Sequence, residues 1–90
     1  MIERWEIHLK TRNTIGGILS TLKTKGISAD FKLMNDKDYH SKLMIKNPAN
    51  GEIYHFGFKL YCEAEGIYTY EICAWTEQEY NYLIELAKSI

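Results

Sequence analysis

Apolar and polar positions alternate with a period of two through the centre of the chain, the spacing of a strand with one buried face. From Glu52 to Glu63 the even positions Tyr54, Phe56, Phe58, Leu60 and Cys62 are apolar, while the odd ones mix Ile53, His55, Gly57, Lys59 and Tyr61. The run from Ile67 to Trp75 sets Tyr68, Tyr70, Ile72 and Ala74 on one side and Thr69, Glu71, Cys73 and Trp75 on the other. Between the two lies Ala64-Glu65-Gly66, which predicts a three-residue hairpin loop with Gly66 in the left-handed region. That loop pairs Cys62 with Tyr68, Leu60 with Tyr70, Phe58 with Ile72 and Phe56 with Ala74 on the buried side. On the reverse side it pairs Lys59 with Glu71 and His55 with Trp75. The preceding Asn47-Pro48-Ala49-Asn50-Gly51 predicts a turn with Pro48 preset for a type I geometry and Gly51 free to go left-handed. Closing it by pairing Asn47 with Glu52 brings Ile45 opposite Tyr54 and Leu43 opposite Phe56. Both turns therefore select the same buried face.

The flanks complete the pattern. Trp5, Ile7 and Leu9 alternate with charged neighbours and predict a first strand over Glu3 to Lys10. Asn13 or Thr14 can cap a helix in which Ile15, Ile18, Leu19 and Leu22 recur at helical spacing, with Gly26 as its stop. Ile27 to Met34 reads as a second strand, Asn35 to Asp38 as a polar loop, and Tyr39 to Lys46 as a third strand. Thr76-Glu77-Gln78-Glu79 is a capping box, Glu79 reaching back, ahead of a last helix with the apolar stripe Tyr80, Leu83, Ile84 and Ala87. The order is βαββββα, a two-layer α+β domain over residues 1–90 with a largely antiparallel five-stranded sheet and two helices packed on one face. The first strand, helix and second strand predict a right-handed crossover joining parallel strands. The predicted core is Trp5, Ile7, Leu9, Ile18, Leu22, Phe31, Leu43, Ile45, Phe56, Phe58, Leu60, Ile72, Leu83 and Ile84.

Charge adds an asymmetry. The formal net charge is −1, which argues against a DNA mimic or a generic polyanion binder. Residues 1–50 nevertheless hold nine Lys/Arg against five Asp/Glu, and residues 51–90 hold two against seven. No apolar run reaches the roughly 20 residues that span a bilayer, and the start lacks the basic-then-apolar plan of a signal peptide. The expectation is a cytoplasmic protein with no membrane partner. Cys62 is expected to point into the core and Cys73 away from it, as two free thiols. Ile, Lys, Asn, Tyr, Phe and Met supply 38 of the 90 residues, a coding bias that points to a low-GC bacterium or its phage.

Two short stretches resemble parts of known families. The passage from Gly16-Gly17-Ile18-Leu19 to Lys25-Gly26-Ile27-Ser28 is similar to the helix-to-second-strand passage of ACT-type regulatory domains, although three further strands precede the last helix here. Phe56-Gly57-Phe58 with Tyr61 resembles part of the aromatic strand motif of RNA-recognition modules, but the parity above turns Phe56 and Phe58 toward the helices. Neither resemblance transfers a functional residue.

With both helices on one side, chemistry falls to the outer sheet face. It is predicted to present Arg4, His8, Lys10, Lys32, Met34, Lys42, Lys46, Cys73, and the set Trp75, Tyr61, His55, Lys59, Met44 and Ile53, with Glu6, Asp30 and Glu71 as its acids. Trp, Tyr and Met among basic residues make the composition of an interaction surface. The expectation is a small protein-interaction module of the inhibitor, immunity or regulatory kind carried by phage or mobile elements, docking a protein partner or a second copy of itself. The alternative is a single-stranded nucleic-acid platform, with Tyr61 and Trp75 stacking on bases while Lys32, Lys42, Lys46 and Lys59 follow phosphates. An enzyme built on Cys73, His55 and Glu71 has the residue types of an activated nucleophile but no visible oxyanion site. The expectation is no catalytic activity, no cofactor and no metal site.

Overall fold

Seven elements follow one another in the computed structural model, which describes residues 5–35, 37 and 39–89. They are β1 (Trp5–Thr11), α1 (Ile15–Thr24), β2 (Ala29–Leu33), β3 (Ser41–Lys46), β4 (Ile53–Ala64), β5 (Ile67–Ala74) and α2 (Glu77–Ala87). This is the predicted βαββββα order. The expected strand start at Glu3, the outer-face Arg4 and the loop residues Asp36 and Asp38 lie outside the described residues.

Each helix is delimited by side-chain and backbone caps read from the sequence. Thr14 is the N-cap of α1, its Oγ1 accepting from the Gly17 N–H at 3.2 Å. At the other end Gly26 takes φ +77°, the Ile27 N–H donates to the Leu22 carbonyl and the Gly26 N–H to that of Lys23. That pair of bonds is a Schellman motif, which closes the helix and turns the chain toward β2. Thr76 caps α2, its Oγ1 accepting from the Glu79 N–H at 3.1 Å. The Glu79 carboxylate departs from the expected capping box: Oε1 accepts from the Thr76 hydroxyl at 2.9 Å, and Oε2 crosses to the His55 N–H at 2.7 Å. β5 has ended at Ala74, so no strand residue meets that amide, and the first turn of α2 serves as its acceptor.

The sheet order is β1-β5-β4-β3-β2, antiparallel throughout. β1 and β2 do run in the same direction, but at opposite edges with three strands between them. The expected strand-helix-strand crossover therefore carries the chain from one edge of the sheet to the other. Between β3 and β4 the predicted register holds, with Ile45 opposite Tyr54 and Leu43 opposite Phe56. Asn47 closes the turn by donating its N–H to the Glu52 carbonyl, and Gly51 takes φ +75°.

The β4–β5 hairpin is half as predicted. Phe56 faces Ala74, Phe58 faces Ile72, Lys59 faces Glu71 and Leu60 faces Tyr70. Nearer the turn, Cys62 faces Thr69 instead of Tyr68, and the loop is the two residues Glu65 and Gly66, at φ +54° and +79°. Two consecutive left-handed residues make a type I′ turn, whose twist suits a tight hairpin. A bulge at Tyr61 absorbs the one-residue difference, so the register beyond it returns to the predicted one.

Even positions of β4 do face the helices. Phe56, Phe58, Ile45, Leu43, Tyr54, Tyr70, Ile72 and Ala74 from the sheet pack with Ile18 and Leu22 of α1 and Leu83 and Leu86 of α2. Trp5, Ile7, Leu9 and Phe31 are half-buried at its margin. Two core assignments are corrected. Leu60 has the right parity but is 45% exposed, because it lies beyond the part of the face that the helices cover. Ile84 is only half-buried, and Leu86 takes the buried place on α2. Parity at the bulge also corrects Cys62, which is turned outward and exposed; Cys73 points away from the helices as expected but is completely buried, and neither cysteine is in a disulfide.

Candidate functional site

The outer sheet face is divided in two by one side chain. β3 begins at Ser41 and not at Tyr39, so Tyr39 leaves the strand and turns onto the face away from the helices. There it lies over Gly57: a Cβ on that glycine would stand 2.9 Å from Tyr39 Cγ, 3.0 Å from Cδ2 and 3.2 Å from Trp75 Cη2. Only a residue without a side chain lets an aromatic ring sit this close to the backbone. The Tyr39 hydroxyl reaches across β5 to β1, donating to Glu6 Oε1 at 2.7 Å. Cys73, on the strand between, is sealed beneath it.

Burial drives the Tyr39 hydroxyl far above the ordinary tyrosine range, and the neighbouring Cys73 and the Glu6 carboxylate push the same way. Burial also raises Tyr70 and Tyr82. An unfolded tyrosine releases its proton near pH ~10, whereas folded Tyr39 keeps it, so the stabilisation present below that pH is lost as pH rises above it. The loss reaches up to about 1.4 kcal/mol per pH unit for each such group. Tyr39→Phe is expected to flatten the alkaline fall in stability by one group's share, while Tyr70 and Tyr82 keep theirs. Denaturant unfolding of both proteins at several pH values on either side of ~10 checks this, and equal slopes in the two would contradict it.

On one side of Tyr39 the structure gathers four of the six predicted site residues. Trp75, 38% exposed, forms the rim of a depression of about 380 Å³ lined by Met34, Lys42, His55 and Glu79. Met44 is the cross-strand neighbour of His55, and with Ile53, Ser28, Asp30 and Lys46 it lines a second, smaller one of about 160 Å³. His55 and Trp75 thus meet as predicted, though across the depression and not as ladder partners. The His55 Nδ1 is enclosed and has no hydrogen-bond partner among the described residues. Lys32 and Lys42 face each other directly across β2 and β3, an arrangement of like charges that is unfavourable by itself. The acid in the first depression, Glu79, is already engaged with the Thr76 hydroxyl and the His55 amide.

Tyr61 and Lys59 fall on the other side of Tyr39. Tyr61 is the bulged residue, and its ring stacks on His8 with centroids 5.2 Å apart. Lys59 is held at 3.7 Å from Glu71 Oε2, which also has His8 Nε2 at 3.8 Å. This second cluster is internally paired. The Cys73, His55 and Glu71 arrangement is not assembled: Cys73 has no solvent exposure, and Glu71 is tied to Lys59 and His8.

Two residues of this face went unpredicted, Tyr39 and Gly57. The signal for Gly57 was present, since a lone glycine inside a strand marks a close approach of something to the backbone. No group of three or more His, Cys, Asp and Glu side chains placed to hold a metal ion occurs among the described residues. Nor is any helix among them long and apolar enough to cross a membrane. No protein-family model, curated protein or solved structure matches the chain.

Proposed function

We propose that this chain is a small cytoplasmic protein-interaction module, of the inhibitor, immunity or regulatory kind, that docks a partner protein on the Trp75 side of its outer sheet face. The observation that carries the reading is the half-exposed Trp75 ring standing over a depression shared with Met34, Lys42 and His55. An aromatic anchor beside a pocket, bordered by methionine and lysine, is the composition of interface hot spots. The chemistry of the depression favours an acidic side chain next to an apolar one. Lys42 offers charge, and Lys32 and Lys46 stand on β2 and β3 beside it. A carboxylate placed there relieves the Lys32–Lys42 repulsion, and Met44 and Ile53 extend the apolar floor.

The division made by Tyr39 weighs against a stacking platform for single-stranded nucleic acid. Tyr61 is already stacked on His8 and Lys59 already paired with Glu71, which leaves Trp75 without the second stacking partner that reading needs. Affinity capture from the native cell with the wild-type chain, Trp75→Ala and Tyr61→Ala tests the proposal. The expected result is a protein partner whose affinity falls by at least about 2 kcal/mol in Trp75→Ala and is unchanged in Tyr61→Ala. Equal recovery by wild type and Trp75→Ala overturns it, as does recovery of oligonucleotides whose binding drops steeply with salt.

A further inference from the structure

We propose that two copies of this chain pair through their β2 edges, antiparallel about Phe31, and so join two five-stranded sheets into one of ten strands. The edge hydrogen bonds this pairing uses are separate from the Trp75 depression, although Asp30 and Lys32 also border the docking face. β2 is an edge strand, and its hydrogen bonds to β3 fix which residues point outward. The Lys46 N–H donates to the Ser28 carbonyl and the Met34 N–H to that of His40, so even positions face β3. By the alternation of an antiparallel ladder, the N–H and C=O groups of Ala29, Phe31 and Leu33 face away from the sheet. Such a row is a template for a further strand. In the single chain, the Phe31 N–H is taken by its neighbour's carboxylate, Asp30 Oδ1, at 3.1 Å.

Charge then selects one register. Two copies can align only with outward-facing residues opposite one another, and among such alignments those that overlap most of the five-residue β2 are centred on Asp30, Phe31 or Lys32. The first sets Asp30 against Asp30 and the last Lys32 against Lys32. Alignment about Phe31 sets Asp30 opposite Lys32 of the other copy, twice by symmetry, as in a self-complementary two-fold interface. These are the non-hydrogen-bonded pairs, in which side chains approach most closely. Asp30 is thereby placed beside Lys32, which within its own chain faces only Lys42. The ladder itself contributes roughly six backbone hydrogen bonds.

Apolar surface agrees with that register. Leu33 is 84% exposed, the most exposed large apolar residue described, although it shares the helix-facing parity of Phe31. Alignment about Phe31 puts Leu33 opposite Ala29 of the other copy. Ala29 lines a groove of about 540 Å³ between α1 and the start of β2, together with Leu19, Ser20, Lys23 and Ile27. Each copy thus inserts a bare leucine at the mouth of the other's groove. The opposite edge offers no such fit: Trp5, Ile7 and Leu9 of β1 are half-buried, and the residues between them are Glu6, His8 and Lys10.

Sedimentation equilibrium over a concentration series tests the pairing, against a chain mass of 10.6 kDa. Wild type is expected to show a reversible dimer. Asp30→Lys and Lys32→Asp each place like charges opposite one another twice and are expected to weaken the dimer by about tenfold or more. An equimolar mixture of the two variants restores both ion pairs and is expected to give a heterodimer as tight as wild type, as is the double variant Asp30→Lys with Lys32→Asp. Circular dichroism of each variant separates loss of pairing from loss of fold, and the mixture rescues only the former. Monomeric wild type at the highest attainable concentration overturns the proposal, and so does a dimer indifferent to these charge changes. Trp75→Ala is expected to leave the dimer intact, so failure here and failure of the docking face are told apart.

Discussion

Tyr39→Ala is expected to destabilise the fold by about 3–5 kcal/mol, the range for removing a buried aromatic side chain. In a domain whose total stability is on the order of 5–15 kcal/mol this is a large fraction. The physical reason is that the ring is 2% exposed and is the roof over the centre of the outer face, held at its far end by the Glu6 carboxylate at 2.7 Å. Its removal also uncovers a chemical group. Cys62 is exposed and Cys73 completely buried in the wild type, so a thiol reagent is expected to label one cysteine rapidly under native conditions. In Tyr39→Ala it should label both, at a rate faster than global unfolding allows. Tyr39→Phe keeps the roof and should protect Cys73 as wild type does. Native-like stability together with one fast thiol in Tyr39→Ala would show that something other than Tyr39 shields the strand.

The sequence made the sheet's sidedness legible because parity is a local property. A strand that puts Phe56 inward must put Phe58 inward and His55 outward, whatever the rest of the chain does. The error at the β4–β5 turn came from the chemistry of Glu65. Glutamate rarely takes φ > 0, so Ala64-Glu65-Gly66 reads as a three-residue loop with only Gly66 left-handed, yet Glu65 stands at +54°. The bulge at Tyr61 then moved Cys62 to the opposite face while leaving Phe56, Phe58 and Leu60 in the predicted pairs. A shift by one and an insertion of one cancel, and no local pattern reports either.

Long-range placement was not legible at all. Nothing near β1 states that its neighbour is β5, or that β2 forms the far edge; that follows from how two helices and five strands share one face. The same limit applies to Tyr39. Its alternation with Ser41 and Leu43 extends β3 on paper, whereas its position in space depends on a glycine 18 residues later. The consequence for the candidate site is direct, because the six outer-face residues read as one surface are two. Trp75, His55, Met44 and Ile53 remain available on one side of the roof, and Tyr61 and Lys59 are consumed in local pairs on the other.

Gly57→Ala is the complementary change, adding one carbon beneath the roof in place of removing it. By itself a glycine-to-alanine change in a strand should stabilise, by up to about 1 kcal/mol, since it restricts the unfolded chain and supplies a side chain to pack. Here the new Cβ would meet Tyr39 Cγ at 2.9 Å and Cδ2 at 3.0 Å. These atoms belong to the root of a ring pinned at both ends, so the neighbour cannot give cheaply, and overpacking of this kind costs about 1–3 kcal/mol. The expected net effect is destabilisation, with loss of affinity for the proposed partner as well, because Trp75 Cη2 lies 3.2 Å from the same point and must move. In a Tyr39→Ala background the clash is gone, and Gly57→Ala is expected to become neutral or stabilising. A double-mutant cycle over the two positions should therefore give a coupling of about 2 kcal/mol, within the range for residues in direct contact. Additive effects would mean that ring and backbone do not touch, and the division of the outer face into a Trp75 side and a Tyr61 side would lose its cause.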